Sequence, residues 1–167
     1  VLKVLEHMIG RENMSALSIR DLGQRFRAAA IENKLVNLAT ETETADPVSA
    51  EILKGAISGD TVQIEHKYEK SYLINPVAKF IFAMNTAPKI TDKSHGWRRK
   101  ILLLKFNRRF TKDEIDTDLI NKLKREITGI FAWSILGLGE LLNNGRFLES
   151  DQIIKEREVF FRSLNPI

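Results

Sequence analysis

The sequence contains no cysteine, which excludes a disulfide scaffold and every zinc site that needs a thiolate ligand. Histidine is scarce. His7, His66 and His95 stand alone, without metal-ligand spacing, so no structural metal is expected. Long apolar runs are absent too. The longest uncharged stretch, between Glu126 and Glu140, is 13 residues, short of the roughly 20 that span a bilayer, and it reads as a buried helix. No segment has the pattern of a signal peptide, and no internal repeat or low-complexity tract occurs. What remains is ordinary globular material: 167 residues, 43% hydrophobic and 29% charged, enough for one domain with one substantial core.

The formal net charge is +4, but its distribution says more than the total. Residues 98 to 109 (RRKILLLKFNRR) carry six cations and no anion, and residues 41 to 51 (ETETADPVSAE) carry four anions and no cation. One acidic and one basic cluster on a domain suit a metal–phosphate site beside an anionic partner, and equally suit two solvated faces.

Apolar periodicity and turn chemistry give an order of elements. Val1, Leu2, Val4, Leu5, Met8 and Ile9 share one helical face, with Gly10 as the stop. That opening inside an amphipathic helix, and the end at Ser163-Leu-Asn-Pro-Ile167, read as cuts in a longer chain. Ser18 and Asp21 form a capping-box-like pair that starts a helix through about residue 30. Lys34 to Ala39 is an apolar run, read as a buried strand. Asp46-Pro47 caps a helix continued by Val48, Ile52, Leu53 and Ala56. Thr61–Ile64 and Tyr72–Ile74 bracket a polar tip as a hairpin. Ala78–Met84 is a second buried strand, and Lys100–Phe106 a further one. Three helices follow, near 114–126, 128–143 and 150–163. Strands alternating with helices before a helical tail predict an α/β core over 1–110 and a helical subdomain over 111–167.

Four places along this order carry possible chemistry, and each has a plainer reading. The Lys34–Ala39 strand runs into Thr40-Glu41-Thr42-Glu43, where an acid on a rigid strand tip could hold Mg2+ or polarise a water; acids after strands are also ordinary loop residues. Asn85 closes the next apolar strand, where a neutral amide can hydrogen-bond a phosphate or water; Asn-Thr-Ala-Pro is also good turn chemistry. The hairpin tip holds His66, Lys67, Tyr68 and Lys70. Such cations can pair with phosphates while the ring packs on a base or sugar, or can simply keep a turn soluble. Trp97-Arg98-Arg99 offers a rigidly mounted guanidinium for a neighbouring subunit's nucleotide, or a salt bridge or cation–π pair.

Together, in one chain order, Leu35-Val-Asn-Leu-Ala-Thr-Glu41, Leu53-Lys with Ile57-Ser-Gly-Asp60, Glu65-His-Lys-Tyr68, Lys79-Phe-Ile-Phe-Ala-Met-Asn85 and Gly96-Trp-Arg-Arg99 with Phe106 resemble the superfamily 3 helicase domain of phage and plasmid primase–helicases and their poxvirus relatives. The resemblance spans nearly the whole chain. It implies a P-loop NTPase core of the AAA+-like kind with a C-terminal helical subdomain. It also implies ATP with Mg2+, single-stranded DNA and a homohexameric ring as partners, no membrane, and a cytoplasmic place in a bacterial cell of phage or plasmid origin. By residue it implies Glu41 as the Walker B acid, Asn85 as the polar sensor and Arg99 as the arginine finger, with Arg98 the lesser candidate. Lys67 becomes the DNA-tracking tip, with His66 and Lys70 beside it.

The sequence departs from that pattern twice. Thr40 stands where a second acid is usual, which leaves open whether Glu43 shares the metal role. No Gly-Lys pair occurs anywhere, so the Gly-x-x-x-x-Gly-Lys-[Ser/Thr] loop that cradles phosphates is missing. In the family that loop directly precedes a helix like Val1–Gly10, so the chain is expected to start just after it. The strand feeding the loop, central in the family's parallel sheet, is missing as well, and the strands that flank it would face a gap. Two further readings stand beside the motor: a non-catalytic DNA-binding or oligomerisation module derived from such a helicase, and a metal-dependent nuclease using Glu41 and Glu43. The nuclease leaves Asn85 and the Trp-Arg-Arg element without a role.

Overall fold

A six-residue strand whose first four side chains are buried forms the centre of the sheet. The computed structural model describes residues 1–24, 26–41, 51–85, 96 and 99–163, with backbone alone at Glu41 and Ser163. Its contacts divide into two units, one of Gly10–Leu102 with Phe160–Ile167 and one of Val1–Ile9 with Leu103–Val159. The architecture is mixed α/β.

In the first unit, β1 (Met14–Ser15), β2 (Val36–Glu41) and β5 (Lys79–Met84) form a parallel sheet in the order β1-β2-β5. Val36, Asn37, Leu38 and Ala39 are all buried, as a central strand covered on both faces requires. The polar member of that run is hydrogen-bonded at both its oxygen and its nitrogen. Asn37 is 0% exposed, and its Oδ1 accepts from Ser15 Oγ and from the Leu17 amide, both at 2.8 Å, while its Nδ2 donates to the Leu17 carbonyl at 2.9 Å. One side chain thus ties β1 and the turn after it to the middle of β2.

The Ser18–Asp21 capping box forms: the Asp21 amide donates to Ser18 Oγ at 3.0 Å, and the Ser18 amide donates to the Asp21 carboxylate at 3.4 Å. The helix it starts, α2 (Ile19–Leu22), is much shorter than the sequence suggests. It ends at Gly23, and a 3-10 turn follows at Ala28–Ile31. Glycine costs about 1 kcal/mol inside a helix relative to alanine, and Arg27 folds back onto Asp21 at 2.6 Å.

β5 also differs from expectation. Its apolar run suggests burial on both faces, yet exposure alternates along it. Phe80, Phe82 and Met84 pack on the core of Ile19, Leu22, Ile31 and Leu53, while Ile81 on the opposite face is exposed. Among the described residues β5 has one strand neighbour, β2, and its other edge is unpaired. The expected strand at Lys100–Phe106 does not form. Residues 101–110 have no regular structure and pair with no strand among the described residues.

The antiparallel hairpin of β3 (Val62–Ile64) and β4 (Tyr72–Ile74) forms where the sequence puts it. Helix α3 (Glu51–Ser58) packs against it; the N-terminal stretch expected for that helix, with Asp46, Pro47 and Val48, lies outside the described residues. A Cβ at Gly55 would stand 2.8 Å from Val62 Cγ1, so glycine permits this close approach. Val62 and Ile64 join Ala28 and Ala29 in a second buried cluster, and Ile52 and Ile74 pack against both clusters. Sheet and hairpin therefore share one continuous core.

The second unit is helical. Helix α1 (Leu2–Ile9) contacts α4 (Leu119–Arg125) and α5 (Ile127–Asn144), and α6 (Asp151–Ser163) follows, within this unit as far as Val159. Gly10 at φ 86 and Gly145 at φ 64 end α1 and α5. The apolar segment between Glu126 and Glu140 is helical as read, but no α5 side chain is buried, and Trp133 is 74% exposed. Its apolar residues lie all round the axis, more than one neighbouring helix can cover. Among the described residues no helix is long and apolar enough to cross a membrane.

The Asn37 clamp generates a stability prediction. Asn37→Ala strands the buried Ser15 hydroxyl and the half-buried Leu17 amide and carbonyl, and should lower the unfolding free energy of the sheet-bearing unit by about 3 kcal/mol. Ser15→Ala leaves the Leu17 bonds intact and should cost about 1 kcal/mol. Urea denaturation followed by circular dichroism checks this, and equal losses in the two variants contradict it.

Candidate functional site

Parallel strands bring their carboxyl ends to one edge of a sheet, where α/β folds place ligands. Here the register pairs Thr40 with Ala83 and Glu41 with Met84. Asn85 is the next residue, exposed at a bend, and its side chain has no hydrogen-bond partner among the described residues. Neighbouring parallel strands lie about 4.8 Å apart, so the acid-bearing end of β2 and the amide-bearing end of β5 are side by side. Two residues separated by 44 positions in sequence become neighbours. Glu43 and Arg98 lie outside the described residues. Arg99 sits exposed in a turn, without a side-chain partner among the described residues.

The basic run around it is partly engaged within the protein. Lys100 Nζ donates to Ser58 Oγ. Arg108 donates to Glu114 at 2.9 Å and lies 4.8 Å from the Phe110 ring centre.

The hairpin forms the second part of the candidate site. Gln63 donates to Ser71 Oγ and Thr61 Oγ1 donates to Asn75 Oδ1, both at 2.7 Å, closing the arms. At the tip the Glu69 amide donates to the His66 carbonyl at 3.1 Å, making a turn with Lys67 and Tyr68 at its two central positions. Tyr68 has φ 71. Turns with positive φ at that position ordinarily use glycine or asparagine, and an aromatic residue there carries a backbone cost of about 1–2 kcal/mol. Its ring is 91% exposed, with Lys67 Nζ 4.8 Å from its centre. Lys67 and Lys70 are exposed, and neither has an ion-pair partner among the described residues.

His66 is placed differently from the two lysines. Its Nε2 lies 3.0 Å from the Tyr72 hydroxyl and 3.4 Å from Glu32 Oε2, and its ring stacks on that of Tyr72. The Tyr72 hydroxyl donates to Glu32 Oε2 at 2.5 Å. This three-residue latch fastens the hairpin to the segment after the 3-10 turn. It holds the Glu32 carboxyl below its ordinary pKa, chiefly through the Tyr72 bond and then through His66. The same bond, with the Glu32 charge, pushes the Tyr72 phenol up to about 12. Nothing in the sequence pairs Glu32 with a residue 40 positions away. Only the hairpin pattern, which brackets Tyr72, gave a partial signal.

The chain matches the model of a family described as "Family of unknown function (DUF5906)" over residues 2–99. That span covers β1 to β5, the hairpin, Glu41, Asn85 and Arg99, and it is more than half of the 167 residues.

The latch predicts a paired change in titration. Glu32 has a depressed pKa, so its contribution is present above the unfolded carboxyl value and lost as pH falls through the folded one. Tyr72 has a raised pKa, so its contribution is present below 10.0 and lost as pH climbs toward about 12. Glu32→Gln should bring Tyr72 ionisation back toward 10.0. Phenolate absorbance against pH measures this, with Tyr72→Phe identifying which of the two tyrosines is responsible. An unchanged alkaline limb in Glu32→Gln would show that the latch does not exist in solution.

Proposed function

The chain belongs to DUF5906, and from the paired strand ends within the matched residues we propose that it is part of an ATP-dependent DNA helicase of the superfamily 3 type. The observation that carries this reading is the register that pairs Glu41 with Met84, so that Asn85, the next residue, follows at the same carboxyl edge of a parallel sheet. A carboxylate at a strand tip is suited to take a proton from an attacking water. A neutral amide beside it can orient that water or a phosphate oxygen without adding repulsion. The sequence resemblance assigns the same two roles to the same two residues.

Glu41 would help hold the Mg2+ that accompanies a nucleotide, and that ion would supply neutralisation of phosphate charge. One strand-tip carboxylate with substrate oxygens fits that ion's habit of using few protein ligands. The residues at hand do not supply a cradle for the β- and γ-phosphates, because no Gly-Lys pair occurs in the sequence. ATP turnover is therefore proposed for a polypeptide that joins these residues to a phosphate loop. Arg99, exposed and without a partner among the described residues, is the guanidinium offered to the next subunit of a homohexamer closed head to tail. Lys67 and Lys70 on the exposed hairpin are offered to the phosphates of single-stranded DNA.

The missing Gly-Lys pair also favours a second reading for these residues taken alone, a DNA-binding or oligomerisation module without nucleotide chemistry. ATPase measurement separates the two. The 167-residue chain should show no Mg2+-dependent turnover. The full-length gene product should hydrolyse ATP, and Glu41→Gln in it should lower turnover by about 10²-fold or more while nucleotide still binds. Full activity in the Glu41→Gln protein, or robust turnover by the 167-residue chain, would falsify the motor reading. A full-length product that binds DNA but never hydrolyses ATP supports the module.

A further inference from the structure

Five described residues have a positive φ: Gly10, Gly59, Gly145, Asn33 and Tyr68. The first four are the residue types that tolerate this backbone region. Tyr68 is the exception, and nothing among the described residues accounts for it. Its ring is 91% exposed, fills no core position and has Lys67 as its side-chain contact. A glycine would close the same turn with less strain and expose no apolar ring. An outlier of this kind, at the apex of a projecting hairpin, points to a role for the ring outside the molecule.

The charge around it narrows the role. The tip from residue 65 to 70 holds Glu65, Lys67, Glu69 and Lys70, two acids against two lysines, so its lysines meet a phosphate backbone with no net positive surplus behind them. His66 is occupied by Glu32 and Tyr72. The ring is thus the one feature at the tip whose attraction does not depend on net charge. Two devices hold it out rigidly. The Glu69-to-His66 bond closes the turn directly beneath it, and the Glu32–Tyr72–His66 latch fixes the hairpin arm to the core.

Resting on the DNA-motor reading, we infer that Tyr68 stacks on an exposed nucleobase and is the residue by which the hairpin selects single strands. Lys67, 4.8 Å from the ring centre, sits where it can reach a phosphate flanking the stacked base. Duplex DNA offers no free base face except at its ends, whereas every base of a single strand has one, so stacking is tolerant of sequence but not of base pairing. The inference separates base contact from the phosphate contact already proposed for the lysines.

Binding to two labelled probes tests it: an oligodeoxythymidylate of about 20 nucleotides, and a strand of equal length whose residues are all abasic. The abasic strand keeps every phosphate and lacks every base. The 167-residue chain should prefer the thymidylate by about tenfold. Tyr68→Gly, which suits φ 71 and preserves the turn, should lose that preference while holding the abasic strand within about twofold. Tyr68→Phe should keep the preference, and Lys67→Ala should weaken both probes by the same factor. If wild-type protein binds both strands alike, or if Tyr68→Gly keeps the full preference, the stacking role is wrong while DNA binding stands. If it binds neither strand, the nucleic-acid reading fails together with this one. Tyr68→Gly should unfold at the wild-type temperature or above, which keeps a binding loss from being mistaken for a damaged hairpin.

Discussion

The buried amide of Asn37 is the constraint on which the sheet depends. β1 is two residues long, too short to hold its place through ladder bonds alone. Its position comes from Ser15 and Leu17 closing onto the Asn37 side chain. A polar group placed this deep is costly unless satisfied and becomes specific once it is. Slipping β1 by one residue would take Ser15 off the amide and send its side chain to the other face. With β1 fixed on one side and β5 on the other, β2 has a single depth in the sheet, and that depth decides where Glu41 emerges.

The same core positions the hairpin. Ile52 and Ile74 touch both buried clusters, so the strands that carry Glu41 and Asn85 and the arm that carries Lys67 and Tyr68 are mounted on shared side chains. Leu53, Ile52 and Ile74 thus lie in one packed core between the sheet and the hairpin.

Much of this was legible in the sequence because the signals are local. Alternating apolar runs and turn residues marked the hairpin, the Ser18–Asp21 box marked a helix start, and apolar strands ending in Glu41 and Asn85 marked the sheet edge. The failures are of a different kind. β1 is shorter than any periodicity can register, and Asn37 looked like one polar letter in an apolar run. The Ser18 helix stopped at Gly23, where glycine weakens a helix and Arg27 folds back locally onto Asp21 before the alanine-rich turn. β5 and the 100–106 run both looked like buried strands, but propensity says nothing of what covers a strand's face or pairs its edge. Glu32 with Tyr72, and the positive φ of Tyr68, are facts of three-dimensional closure. Glu43 and Arg98 fall outside the described residues, so their roles stay at the level of the resemblance.

The central claim is that Glu41 and Asn85 share one edge because β2 and β5 pair in a single register. The ladder opens with the Lys79 amide donating to the Leu35 carbonyl. Continued two residues at a time through the observed register, it ends with the Asn85 amide donating to the Glu41 carbonyl. Scalar coupling across hydrogen bonds, measured by NMR on isotopically labelled protein, reads such pairs directly. The account predicts a coupling between the Asn85 amide nitrogen and the Glu41 carbonyl carbon. A coupling from Asn85 to any other carbonyl, or an Asn85 amide that exchanges freely with solvent, would separate the acid from the amide and remove the site.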